Sequence, residues 1–295
     1  MACEVIYFEN DNQLRELFGE KPTLEQLGTG YGFSEGPVWH GQQNRLYFTD
    51  FPNEAIHIWE PDRGASLYRG EAHRAIGLCL DNQGNVLACE SRNQRVAMLN
   101  PAGSQAVVDS YDGKAFNSVN DVVVAKNGDI LFSDPFSQAL GKPSAQGFNG
   151  VYHYHSATGQ VSVVSRTFAW PNGLCLSRDE SRLYVNDTGE QQVYVFERLA
   201  NGSYGNQQPL LTLDKSHGEG APDGMKVDRH DNLWVTGPGG VWVFAVKDQA
   251  QAKPLALVKM PEFAGNFCFG GPNGDQVFFT ASSSLYRLQL TQPIN

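Results

Sequence analysis

The stretch GMKVDRHDNLWVTG, residues 224–237, decides the fold: it is an apolar run, a polar turn of Asp, Arg, His and Asn, and a second apolar run ending on Thr and Gly. Two short apolar runs joined by such a turn form a β-hairpin. The second half, DNLWVTG, has five counterparts: NRLYFTD at 44–50, GNVLACE at 84–90, GDILFSD at 128–134, SRLYVND at 181–187 and DQVFFTA at 275–281. Their central residues, Tyr47, Leu87, Leu131, Tyr184, Trp234 and Phe278, are separated by 40, 44, 53, 50 and 44 residues. A period of this length marks one supersecondary unit copied along the chain.

Each copy follows an apolar run and a turn rich in Asn, Asp and Gly, as in IGLCLDNQGN and DVVVAKNGD. Further runs follow most copies, for example AIHIWE then SLYRG, and VYVFER then PLLTL. Four strands per unit of about 40–50 residues is the pattern of a propeller blade. The expectation is therefore an all-β, six-bladed β-propeller occupying residues 1–295 as a single domain. A β-sandwich also has many short strands, but it does not call for six matched hairpins. The sixth unit ends one strand short after SLYRLQL, and TLEQLG at 23–28 can supply the outer strand of that last blade. Closing the ring in this way removes open sheet edges. NDNQLRELFG at 10–19 reads as a short helix.

Composition narrows the function classes. The net charge of −10 argues against nucleic acid or an anionic membrane as partner, because both recruit a basic surface. A cation suits this chain better. No apolar run has the length of a membrane span, and the start MACEVIYFENDNQ lacks a signal-peptide pattern, so the expected location is cytoplasmic. Five widely spaced cysteines without a C-x-x-C pair read as buried free thiols in a reducing compartment.

In a propeller the innermost strand of each blade lines the central channel. Aligning the six hairpins places Glu35, Ile76, Asn120, Asn172, Asp223 and Asn266 at one end of that channel, and five of the six are polar or acidic. Two carboxylates brought together out of bulk water need a neutralising partner. The donors are all carboxylate or amide oxygens, which suit a hard divalent cation: calcium first, then magnesium or manganese, with zinc less suited. The expected ligands are Glu35, Asn120, Asn172 and Asp223.

Antiparallel pairing returns Asp50, Glu90, Asp134 and Asp187 to the same face. Asp134 and Asp187 could orient the ring amides or contact a substrate; equally, such acids terminate strands by binding turn amides. His153 and His155 share a strand face in VYHYH but belong to a third strand, away from the channel. His217 lies in a loop near Asp223 and reads as solvated. The glycines of GTGYGF at 28–33 read as turn residues, since a dinucleotide fingerprint would follow a strand.

The stretches GFSEGPVW, NSVNDVVV, WPNGLCLS, APDGMKVD and GGPNGDQVFFTASSSLYRL resemble, in order, the gluconolactonase, regucalcin (senescence marker protein) and luciferin-regenerating enzyme family. The resemblance runs from about residue 24 to 290. It implies a six-bladed propeller with one catalytic divalent cation and hydrolysis of sugar lactones. By motif it implies Glu35, Asn172 and Asp223 as metal ligands, Asp223 as proton acceptor and donor, and Asn120 at the substrate or metal. Regucalcin-like members carry Arg two residues before that Asn; here the position is Ser118, a departure that bears on the particular lactone. The leading expectation is a metal-dependent lactonase acting on a small-molecule lactone. The alternatives are a phosphotriesterase or esterase on the same cation, and a calcium-binding propeller without catalysis. Oligomeric state is not legible in the sequence.

Overall fold

The computed structural model describes residues 1–138, 141, 143–247 and 251–295. All six hairpins form, each pairing an inner strand with its neighbour. The pairs are Ser34–His40 with Arg45–Asp50, Ala75–Leu80 with Val86–Glu90, and Val122–Val124 with Ile130–Asp134. They continue with Pro171–Leu176 and Arg182–Asp187, Met225–Val227 and Asn232–Gly237, and Ala264–Gly270 and Gln276–Ala281. Outer strands complete six antiparallel blades, giving the six-bladed β-propeller that the repeats imply.

The residue at the centre of each repeat is large and apolar because it is a peg into the next blade. Tyr47 of blade one packs with Leu78 and Ala88 of blade two; Leu87 packs with Val122 and Phe132 of blade three; Leu131 packs with Leu174 and Leu183 of blade four. Around the rest of the ring, Tyr184 meets Leu233 and Val235, Trp234 meets Phe267 and Phe279, and Phe278 meets Leu46 and Phe48 of blade one. All six pegs are at most 4% exposed. Fully burying such side chains contributes about 1.5–3 kcal/mol each, so the core is spread around the ring.

The N-terminal segment closes the circle. Leu24–Thr29 pairs with Ser284–Gln289 and supplies the outer strand of blade six. Val5–Tyr7 adds a fifth strand to blade five, beyond the four expected, by pairing with Ala256–Val258. Between them the helix Asn12–Phe18 is capped by Asp11, whose carboxylate accepts from the Leu14 amide at 3.0 Å. Leu14, Leu17 and Phe18 bury its inner face in the core shared by blades five and six. Among the described residues no helix is long and apolar enough to cross a membrane.

Candidate metal centre and active site

The six aligned residues meet at one end of the channel because their backbones touch around it. A Cβ on Gly36 would stand 2.0 Å from the Ile76 carbonyl oxygen, and one on Gly77 would stand 2.7 Å from that of Asn120. The Leu174 amide donates to Asp121 Oδ2 at 3.4 Å, which joins blade three to blade four. A Cβ on Gly173 would stand 1.9 Å from the Asp223 carbonyl oxygen, one on Gly224 2.7 Å from Asn266 Cα, and one on Gly265 2.2 Å from Glu35 Oε1. The circuit returns to its start. Glycine is required here for close approach.

Four inner strands break register at this level, at Glu35, Ala75, Pro171 and Ala264. Bulges of this kind end pairing and re-aim side chains. The second strands lock the ring from behind. Thr49 Oγ1 donates to the Ile76 carbonyl at 2.9 Å, Thr236 Oγ1 to that of Gly265 at 3.3 Å, and Asn186 Nδ2 to that of Asp223.

Within the ring, Glu35 Oε2 accepts from the Gly36 amide at 2.8 Å and from Asn266 Nδ2 at 3.1 Å. Its other oxygen, Oε1, is buried without a partner among the described residues, and so is Asn172 Oδ1. Asn172 Nδ2 is fixed on Thr188 Oγ1 at 3.1 Å. The Asn120 side chain makes no hydrogen bond among the described residues and is partly exposed. Buried acceptors without donors are rare and point to an ion or water that is not part of the protein.

Two charged groups beneath the ring escaped the sequence reading. Asp121 is buried, with Oδ1 accepting from the Val122 amide at 2.9 Å. Lys226 Nζ lies 5.9 Å from the Phe267 ring centre and donates to the Met225 carbonyl at 2.9 Å. Burial pushes the Glu35 carboxyl up to about 7 against the opposing hydrogen bonds from Gly36 and Asn266. Asp223 is raised well above the carboxylate range by burial, then by the charges of Glu35 and Asp121, with the Asn172 hydrogen bond and Lys226 opposing. Asp121 is raised by burial, with Lys226 opposing. With all three carboxylates ionised against one ammonium, the excess would be two negative charges, which one divalent cation would neutralise.

The rim acids have the scaffold role. Asp134 accepts from the Asn117 amide at 2.8 Å and the Ser118 amide at 2.8 Å, and is fully buried. Asp187 accepts from the amides of Ala169 at 2.7 Å, Trp170 at 3.0 Å and Gly189 at 3.0 Å, and is 1% exposed. Of the two readings open in the sequence for Asp134 and Asp187, these contacts favour the turn-binding one, since both carboxylates are spent on backbone amides and buried. Asp50 holds Gly32 and Phe33 in the same way, so GTGYGF ends in a turn tied to blade one.

His153 and His155 meet Asp129 at the opposite end of blade three, by the hairpin turn. His153 Nε2 lies 2.9 Å from Asp129 Oδ2 and His155 Nδ1 lies 3.7 Å from it. Asp129 is already engaged by Asn127 and by the amide of Ser156. His217 packs edge-on against Phe8 and Trp242, outer residues of blade five. All five cysteines are free, and burial raises Cys175 and Cys268 to about 12.

Fold and ring together define a six-bladed propeller whose channel mouth is an oxygen-rich, anionic cup. The family model described as the SMP-30/Gluconolactonase/LRE-like region matches residues 33–283, and the chain belongs to that family. The gluconolactonase of Zymomonas mobilis is 29% identical over 291 residues, covering 90% of this chain and 81% of that protein. A pentonolactonase of Haloferax volcanii is 26% identical, covering 87% of this chain and 84% of that protein. The solved structure of a gluconolactonase from Xanthomonas campestris superposes with a TM-score of 0.87 at 26% identity, covering 98% of this chain and 95% of that one.

Proposed function

We propose that this protein is a lactonase that hydrolyses a sugar lactone at a divalent cation held by Glu35, Asn172 and Asp223, with Asn120 beside it. The observation that carries the reading is the pair of buried oxygens without partners, Glu35 Oε1 and Asn172 Oδ1, in a ring that also holds Asp223. Their hardness and charge fit calcium first, and magnesium or manganese next. The gluconolactonase and pentonolactonase relatives support the substrate class.

The bound cation would supply Lewis-acid polarisation of the lactone carbonyl and stabilise the developing oxyanion. The chain's own residues do the rest. Asp223 is the ring carboxylate whose surroundings favour taking a proton, so it accepts one from the attacking water and returns it to the leaving ring oxygen. Asn266 and the Gly36 amide hold one oxygen of Glu35 and leave the other to the cation. The Thr188 hydroxyl turns the carbonyl of Asn172 the same way. Asn120, whose side chain makes no hydrogen bond among the described residues, is available to hydrogen-bond substrate. The Phe33 and Phe263 rings, 6.0 Å apart, form an apolar wall beside Glu35.

The test is a panel of five- and six-membered sugar lactones, a homoserine-type lactone and a fluorophosphate, assayed by proton release with calcium, magnesium and manganese in turn. A sugar lactone should give the highest kcat/KM. Preference for the fluorophosphate would replace the reaction class, and cation binding without turnover of any compound would leave a binding propeller.

A further inference from the structure

The ring has one apolar member. Ile76 gives blade two no donor for a cation, and its side chain is partly exposed at the mouth. Substrate can therefore lie on this side without competing with a metal ligand. Two residues earlier stands Arg74, in the loop that enters the blade.

That loop is fixed and strained. Glu71, His73 and Arg74 all adopt left-handed backbone angles, with φ of 53°, 54° and 53°. Left-handed backbone is strained for a non-glycine residue, and such conformations gather at binding sites. The Ala72 amide donates to the Glu54 carbonyl at 2.8 Å, the Ala75 amide to that of Ala72 at 2.9 Å, and the Arg92 amide to that of His73 at 3.0 Å. Ala72 and Ala75 are buried, so the loop cannot relax by swinging into solvent.

The Arg74 guanidinium lies over the ring of Phe51, 5.6 Å from its centre. Phe51 packs on Phe33 at 5.6 Å, and the edge of Phe33 and Glu35 Oε1 both stand over Gly265, 3.1 Å and 2.2 Å from where a Cβ there would lie. An aromatic wall therefore runs from the candidate metal centre to this cation. Arg74 makes no hydrogen bond and no ion pair among the described residues, whereas nearby Arg92 is paired with Glu54. A preorganised guanidinium with its fork unused is built to take a planar or tetrahedral oxyanion.

Resting on the lactonase reading, we propose that Arg74 is a specificity-determining residue: it binds an anionic substituent of the lactone, a carboxylate or a phosphate, remote from the carbonyl that is attacked. The preferred substrate is then the lactone of a sugar diacid or of a phosphorylated sugar acid, not of an unsubstituted one.

The experiment compares three lactones of one sugar: unsubstituted, oxidised to a carboxylate at the terminal carbon, and phosphorylated there. Each is assayed with wild type, Arg74→Gln and Arg74→Lys. Wild type should favour one charged lactone through KM, and which one identifies the anion. In Arg74→Gln the ratio of kcat/KM, charged over unsubstituted, should fall at least tenfold, carried by KM; Arg74→Lys should recover part of it. A ratio unchanged in Arg74→Gln overturns the assignment. Calorimetric binding of the same lactones to Asp223→Asn protein gives a readout without turnover. Equal affinity for charged and unsubstituted lactones overturns the assignment even if lactones are hydrolysed. Failure of every lactone to be hydrolysed, with charged-lactone binding still weakened tenfold by Arg74→Gln, would remove the lactonase reading and leave the anion site standing.

Discussion

Replacing Gly173 by Ala should damage catalysis more than folding, although Gly173 bears no functional group. Its φ is not left-handed, so the effect is purely steric. The added Cβ would stand 1.9 Å from the Asp223 carbonyl oxygen and 3.0 Å from Asn186 Nδ2, the group that holds that oxygen. Ordinary contact begins near 3.4 Å, so about 1.5 Å must be opened between blades four and five. The Asp223 amide is meanwhile held on Thr236 Oγ1 at 3.1 Å, so the strain falls on Asp223 itself. Overpacking of this kind costs about 1–3 kcal/mol. At about 2–4 °C per kcal/mol, the Tm should fall by roughly 2–12 °C. A displacement near 1 Å at the reacting groups is worth about a hundredfold in rate. Thermal melts and kcat for lactone hydrolysis at saturating cation measure both. Gly70→Ala, where a Cβ meets nothing within 4 Å, is the control and should leave stability within about 0.5 kcal/mol. If Gly173→Ala kept kcat within twofold and Tm within a degree or two, backbone contact around the ring would not be what positions Asp223.

Three further outcomes follow from the described contacts. Asp223→Asn keeps an oxygen donor but cannot take a proton, so it should fold, retain residual cation binding and lose at least about a hundredfold in kcat; Asn172→Asp, which spares the proton carrier, should lose less rate per unit of affinity lost. Asp134→Asn turns an amide toward the Asn117 and Ser118 N–H groups and should cost about 1–3 kcal/mol by urea unfolding while leaving KM for the lactone unchanged. Burial pushes Asp129 up, but hydrogen bonds from Ser156, Asn127 and His153 prevail and bring it down to about 2 from 3.8. A depressed carboxyl stabilises fully above pH ~4 and less as pH falls toward 2, so the urea midpoint of wild type should fall across that window and that of Asp129→Asn should fall less.

The fold was legible because the propeller repeats its hairpin, and the peg residues Tyr47 to Phe278 must be large and apolar in every copy. The ring was legible for the same reason, since aligning the copies places Glu35, Asn120, Asn172 and Asp223 at one level. Asp121 and Lys226 were not. Each lies at or beside the start of a short apolar strand, where one charged residue looks like a solvated strand end, and only closure of the channel buries Asp121 and brings Lys226 in beside it. The rim acids were ambiguous in principle: Asp134 and Asp187 end their strands whether they face a ligand or a turn, and most of the amides that engage them come from residues 16–18 positions away. The fifth strand of blade five was hidden because Val5–Tyr7 is three residues long and pairs with a strand some 250 residues on.

The most direct test of the central claim is lactone hydrolysis by protein stripped with a chelator and then titrated with calcium, magnesium or manganese, with wild type and Glu35→Gln compared. Stripped protein should be inactive, activity should return with one cation bound per chain, and Glu35→Gln, lacking one of the anionic oxygens, should require a higher cation concentration. Full hydrolysis by verified metal-free protein would contradict the account.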